Sequence, residues 1–216
     1  NQIASFYPGA MSEARNIELG PIFERHNGFD LVLIAPDDPE AMLRHTDECR
    51  QHKVPFAADI SQTLASLDGD AIKNLLVGAK FSFLNEYEMA LAIKKTGWSK
   101  SDFLDNVEIC VTTLGAKGAR IESAGFDTIE IGVAKERAKI DPTGIGDAFR
   151  AGFISALSWG MGWESCAQVG SMVATYCLET QGGQEYRFTR SQFLDRFEES
   201  YGPVARAVAE RHYPLA

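Results

Sequence analysis

Positive charge is in short supply in this chain. Twenty-one lysines and arginines stand against 30 acidic residues, leaving a net charge of −9. The basic residues are scattered, so nothing would supply the counterion release that drives nucleic-acid binding, and that partner is excluded. Long apolar runs are missing too. No segment approaches the roughly 20 residues of a membrane-spanning helix, and no membrane partner is expected. Cys49, Cys110, Cys166 and Cys177 lack paired spacing. This argues against a disulfide scaffold, and Cys110 and Cys177, in apolar surroundings, read as small buried residues in a reducing, cytoplasmic setting. His45, Cys49 and His52 would share one helix face, but their neighbours Arg44, Asp47, Glu48, Arg50 and Gln51 are polar. A solvated helix is the simpler reading, because structural zinc usually wants four ligands. The chain also has no Gly-x-x-x-x-Gly-Lys-Ser/Thr loop. The third glycine of a dinucleotide fingerprint would fall on Phe149.

What is present suits a soluble globular protein. Apolar residues make up 45% of 216, enough for one substantial core, and with no linker or repeat the span 1–216 reads as one domain. It begins at Asn1 with the alternating pattern Gln2–Phe6. A strand starting at the first residue carries the expectation that an earlier part is missing.

Strand and helix patterns alternate through the first two-thirds. Gln2–Tyr7 reads as a strand, residues 8–11 as a loop, and Ile17–His26 as a helix closed by Asn27-Gly28. The continuous apolar run Leu31–Ala35 predicts a central parallel strand buried on both faces. Asp38 should cap a helix with Pro39 in its first turn, running to about His52. Strands follow at Phe56–Asp59, Phe81–Leu84 and Glu108–Thr113, with helices at Asp70–Val77 and Glu86–Lys95. Ala119–Glu122 and Thr128–Ile131 form a strand pair turned at Gly125, and after Ile140 come helices at about 147–159, 162–178 and 190–201. The pattern implies an α/β fold, a doubly wound, mainly parallel sheet with flanking helices. Its functional crevice would lie at the carboxyl ends of the strands.

The rest of the chain serves the stretch Ile140–Phe153. Pro142 donates no backbone hydrogen bond and biases Asp141 to extended geometry, so a strand should end there. Gly144 and Gly146 leave bare backbone, and from Ala148 the small and apolar positions recur at helical spacing. The amides of Gly144, Ile145 and Gly146 would then point outward at a helix N-terminus, an anion site, with Asp147 beside them. A carboxylate beside an anion site is awkward unless it handles a proton while a phosphate is held, as phosphoryl transfer requires. The bland alternative is a helix-start Asp after a folding turn. Two further loops should gather at the same sheet edge. Asn85 and Glu88 lie three apart at a helix start, either an N-cap with a capping-box Glu or an acidic group for Mg²⁺. Thr113-Leu-Gly-Ala-Lys-Gly118 is either a hairpin turn or a phosphate loop.

These motifs, in this order, resemble the ribokinase-like (PfkB) carbohydrate and nucleoside kinases, from about Gln2 to Tyr186. The carriers are Asp141-Pro-Thr-Gly-Ile-Gly-Asp147, Asn85–Glu88 and Thr113–Gly118. Asn1–Met11 and Leu178–Tyr186 add a resemblance to the bacterial adenosine kinase branch. The resemblance implies a ribokinase-like fold lacking its amino-terminal strands and lid, so the chain would be the carboxyl-terminal two-thirds of a kinase domain. It also implies ATP-dependent phosphorylation of a nucleoside hydroxymethyl group, most simply adenosine to AMP. A sugar kinase, or a non-catalytic nucleotide-binding fragment, would be the alternatives. Asp147 would be the general base, with Gly144, Ile145 and Gly146 as the anion hole. Asn85, Thr113, Gly115, Lys117, Gly118 and Ser171 would contact the nucleotide. Glu88 would order Mg²⁺, and Asp141 and Thr143, with backbone oxygens around Cys177, Thr180 and Gly182, would hold a monovalent cation such as K⁺. A homodimer is implied for a full-length form, and little or no activity for the chain alone.

Overall fold

The computed structural model describes residues 7–214. Residues 2–6 of the expected first strand lie outside them. The chain forms two compact units, one of Asn1–Thr113 with Glu122–Asp127 and the other of Leu114–Ile121 with Thr128–Ala216. The division falls inside a hairpin rather than at a linker.

In the first unit, the 3₁₀ segment Gly9–Asn16 replaces the loop expected at 8–11. Helix α1, Gly20–His26, closes on Asn27 in the left-handed conformation at φ 57°. Helix α2, Pro39–Gln51, starts where Asp38 accepts the Ala41 amide at 3.0 Å. Its inner face carries Ala41, Met42, Thr46 and Cys49. The expectation of a wholly solvated helix there is therefore corrected: Cys49 has no exposed surface and belongs to the core. Helix α3, Gly69–Leu76, is capped by Asp68 and buries Ile72, Leu75 and Leu76. Helix α4, Glu86–Thr96, follows directly on a strand. Helix α5, Lys100–Asn106, was not anticipated. Ser99 and Asp102 form a capping box at its start, and Phe103 anchors it in the core.

Strands β1 (Val32–Ile34), β2 (Phe56–Ala58), β3 (Ala79–Asn85) and β4 (Val107–Thr113) run parallel in chain order. Strands β5 (Ala119–Ser123) and β6 (Phe126–Ile131) continue the order of the six-stranded sheet. A two-residue link between neighbouring strands can only be a hairpin. The run Leu31–Ala35, expected as a central strand buried on both faces, gives β1. Among the described strands β1 is terminal in the order, and Leu33 is 38% exposed. An apolar run alone does not distinguish the two positions.

The second unit is built on α6 (Ile145–Ser158), α7 (Trp163–Leu178) and α8 (Arg190–His212). Helices α6 and α7 approach through glycines. A Cβ on Gly152 would lie 2.9 Å from the Gly170 Cα, and one on Gly170 would lie 2.7 Å from the Phe149 carbonyl oxygen. Helix α8 bends at Gly202 (φ 86°) before Pro203, then continues to His212. The stretch before Pro142 is not a strand. The amides of Ile140 and Asp141 both donate to the Leu178 carbonyl at the end of α7, at 2.9 and 3.1 Å, and so make no sheet ladder.

Candidate active site

Three groups of the expected residues can be followed. The first lies at the carboxyl ends of β3 and β4, where Asn85 and Thr113 stand opposite each other in register. Asn85 begins α4. Its side-chain oxygen accepts the Glu88 amide at 2.8 Å, and Glu88 Oε2 accepts the Asn85 amide at 2.8 Å. The capping box is therefore fully made. Glu88 Oε1 accepts a long 3.4 Å hydrogen bond from the Ser61 hydroxyl, and Ser61, at φ 42°, opens the 3₁₀ segment Ser61–Ala65 after β2. One carboxylate oxygen thus serves the helix while the other lies at the sheet edge. No group of three or more His, Cys, Asp or Glu capable of holding a metal occurs among the described residues. Mg²⁺ bound through water by one carboxylate together with phosphates needs no such cage, so Glu88 fits that role.

The second group is the loop Leu114–Gly118. The Leu114 amide donates to the Gly118 carbonyl at 2.8 Å, closing a tight turn around the 3₁₀ residues Gly115–Lys117. Gly115 and Gly118 both have positive φ. Gly118 admits no side chain, since a Cβ would lie 1.9 Å from the Ile131 carbonyl oxygen. Its backbone is needed bare for the hairpin, whatever else it may approach.

The third group gathers around the start of α6. Gly144, at φ 79°, caps the helix in the left-handed region, and a Cβ there would meet the Gly183 Cα at 3.1 Å. Asp141 ties the two strands of this turn together. Its Oδ1 accepts the Thr143 amide at 2.9 Å, and its Oδ2 accepts the Gly182 amide at 3.0 Å. The Thr143 hydroxyl and amide, with the Gly182 amide, hold the Asp141 carboxyl below its ordinary range. This is the Asx-type turn that the spacing allowed. Below it the Cys177 thiol, buried on α7, donates to the Thr143 carbonyl at 3.3 Å. Burial, then the charges of Asp141 and Asp147, push that thiol's pKa up.

Thr143, Gly144 and Asp147 line a cavity of about 440 Å³ together with Gly182, Gly183, Gln184 and Glu185. The Asp147 side chain is 78% exposed there, paired with Arg150 one turn along α6. Ile145 does not leave its amide wholly free, because it makes a long 3.4 Å bond to the Pro142 carbonyl. By helix geometry the next amides, of Gly146 and Asp147, have no intrahelical acceptor. Ser171 does not line this cavity. It is buried within α7, where its hydroxyl accepts the Ala134 amide at 2.9 Å. Arg150, Gly183, Gln184 and Glu185 were not singled out from sequence for roles here. The available signals were the i, i+3 spacing of Asp147 and Arg150 and the place of residues 183–185 in the Leu178–Tyr186 resemblance.

Residues 1–188 match the model of the pfkB family carbohydrate kinases. The chain belongs to that family. This pfkB-family chain is 30% identical over 198 residues to a nucleoside kinase of Methanocaldococcus jannaschii, covering 92% of itself and 63% of that relative. Among solved structures it resembles Burkholderia thailandensis nucleoside kinase in complex with inosine. The TM-score there is 0.86 at 33% identity, over 94% of this chain and 66% of that one. Thermotoga maritima ribokinase, at 21% identity and TM-score 0.72, shares the fold. The chain thus spans just under two-thirds of the length of the nucleoside kinases it matches. The Methanocaldococcus and Burkholderia relatives are nucleoside kinases, a broader class than the adenosine kinases suggested by the sequence motifs. Among the described residues no helix is long and apolar enough to cross a membrane.

Proposed function

We propose that the chain supplies the nucleotide-binding and catalytic part of a kinase that moves the γ-phosphoryl group of ATP to a nucleoside hydroxymethyl oxygen. Adenosine is the first acceptor to test. The observation that carries this reading is Asp147, exposed on the first turn of α6 and lining a cavity with the bare backbone of Gly144, Gly182 and Gly183. Asp147 accepts the proton of the attacking hydroxyl as the new O–P bond forms, the bond to the bridging oxygen breaks and ADP leaves. The amides of Gly144, Ile145 and Gly146 stabilise charge on the group in flight. Mg²⁺, when bound, neutralises phosphate charge, and Glu88 orders its water shell while Asn85 holds Glu88 in place. Thr113, Gly115, Lys117 and Gly118 border the nucleotide. Asp141 and Thr143 shape the turn and are the candidates to hold a monovalent cation such as K⁺. Ser171, buried on α7 and accepting the Ala134 amide, is the candidate to stand near the nucleotide base. The four cysteines are free and buried, in keeping with a cytoplasmic enzyme.

The test takes the longest form the gene encodes, with ATP and Mg²⁺, and offers adenosine, inosine, cytidine and ribose while phosphorylated product is measured. A nucleoside monophosphate is expected. Asp147→Asn should lower turnover by about 10²–10⁴, the usual contribution of a general base. Near wild-type turnover in that variant would return Asp147 to the role of a helix-start residue. A preference for ribose would support the sugar-kinase reading. By the same proposal the 216-residue chain alone binds ATP or ADP weakly and makes no AMP from adenosine.

A further inference from the structure

We propose that Arg150 is a positioning residue that neutralises Asp147, so that a carboxylate can stand beside the phosphate site without repelling the nucleotide. The inference rests on the kinase reading above. Asp141, Asp147 and Glu185 all lie in or beside the turn that lines the 440 Å³ cavity. An anion with several negative charges would meet net repulsion there unless a cation intervened. Arg150 is that cation for Asp147. It follows three residues later on α6, which puts both side chains on one helix face, and its guanidinium is in contact with Asp147 Oδ1.

The pair is asymmetric in a way that assigns the roles. The Arg150 side chain is only 15% exposed, whereas that of Asp147 is 78% exposed. The arginine is therefore the seated partner, and it holds the carboxylate from the inner side while leaving it open to an incoming hydroxyl. Gly146 makes room for this. A Cβ on Gly146 would lie 3.3 Å from one Arg150 guanidinium nitrogen, so a side chain there would crowd the guanidinium.

Calorimetric titration of ATP and ADP into the chain and its variants tests the inference without requiring turnover. An uncompensated carboxylate should weaken ATP binding by about tenfold if it lies about 12 Å from the γ-phosphate at an effective dielectric of about 20, and by more if it lies closer. Arg150→Met should therefore weaken ATP selectively, with ADP less affected because it lacks that group. Arg150→Lys should keep most of the affinity. Asp147→Asn in the Arg150→Met background should restore ATP binding, because there is no longer a charge to neutralise. In the longest encoded form, Arg150→Met should also lower kcat. A misplaced base of about 1 Å costs about 10²-fold in rate.

The inference is overturned if Arg150→Met binds ATP and ADP with unchanged affinities. It is equally overturned if the double variant stays as weak as the single one, which would mean that Arg150 touches phosphate directly. Wild-type chain that binds neither nucleotide would overturn the kinase reading and this inference together.

Discussion

Replacing Gly170 with alanine should destabilise the protein, although the same change in most helix interiors stabilises it. Glycine within a helix costs about 1 kcal/mol relative to alanine, so propensity alone predicts a gain of that size. Gly170 lies in α7 where α6 crosses, and its added Cβ would fall 2.7 Å from the Phe149 carbonyl oxygen and 3.1 Å from the Phe149 ring. The first obstacle is backbone and cannot rotate away. To reach ordinary contact the helices must part by about 0.7 Å, and a gap of that order forfeits a quarter to a half of each dispersion contact along the seam. Overpacking of this kind costs about 1–3 kcal/mol. Set against the propensity gain, the net is a loss of up to about 2 kcal/mol, or up to about 8 °C in Tm for a chain of this length. Thermal and urea melts followed by circular dichroism measure it, with Gly132→Ala as control because nothing lies within 4 Å of a Cβ there. A Gly170→Ala variant as stable as wild type or more so would refute the close-approach argument, and with it the idea that glycines set the seating of the helix carrying Asp147.

Glu179→Gln should lower stability at neutral pH by up to about 3 kcal/mol, because it leaves the buried Arg196 guanidinium without its bidentate carboxylate at 2.7 Å. Burial alone would raise the Glu179 pKa, but the Arg196 hydrogen bonds and the Arg137 amide outweigh it and hold the carboxyl below its ordinary 4.5. The stabilisation is thus present above about pH 4.5 and fades as pH falls through the depressed folded value. Urea midpoints of wild type and variant should converge in acid, and a gap that persists unchanged to pH 2 would contradict the ion-pair account. Glu88→Gln keeps the capping geometry, since glutamine serves equally at that position. It should therefore leave Tm nearly unchanged while raising the Mg²⁺ concentration needed for half-maximal turnover. An unaltered Mg²⁺ dependence would leave the residue a cap only.

The order of strands and helices in the first two-thirds could be read from the sequence because burial and backbone chemistry pointed the same way. Asp38 with Pro39, and Asn27 with Gly28, mark helix ends by mechanisms that need nothing from the rest of the fold. Helix α5 went unread although Ser99 and Asp102 form its capping box. Its seven residues offer too few turns for a periodic signal to emerge. Leu31–Ala35 misled for the opposite reason. An apolar run reports that a strand is buried somewhere, while its place in the sheet depends on partners far along the chain.

The site shows the same limit more sharply, because one local pattern can serve two purposes at once. Asn85 and Glu88 were readable either as a helix cap or as an acidic group for Mg²⁺, and the structure makes the cap in full with one oxygen of Glu88 while the other stays at the sheet edge. Asp141 likewise makes its Asx turn to Thr143, and with its second oxygen reaches Gly182, some forty residues away. That long-range bond is invisible to any local reading, and so is the Cys177 thiol beneath Thr143. Spacing in the sequence can therefore nominate the turn and its carboxylate. What spacing could not supply was the far wall, Gly182 to Glu185, which converts a helix start into a cavity; only the family resemblance pointed toward it, through Leu178–Tyr186. A helix-start Asp on an open surface has no acceptor to deprotonate. On the proposed kinase reading, the return of the chain after α7 would give Asp147 a cavity in which proton transfer and phosphate binding are coupled.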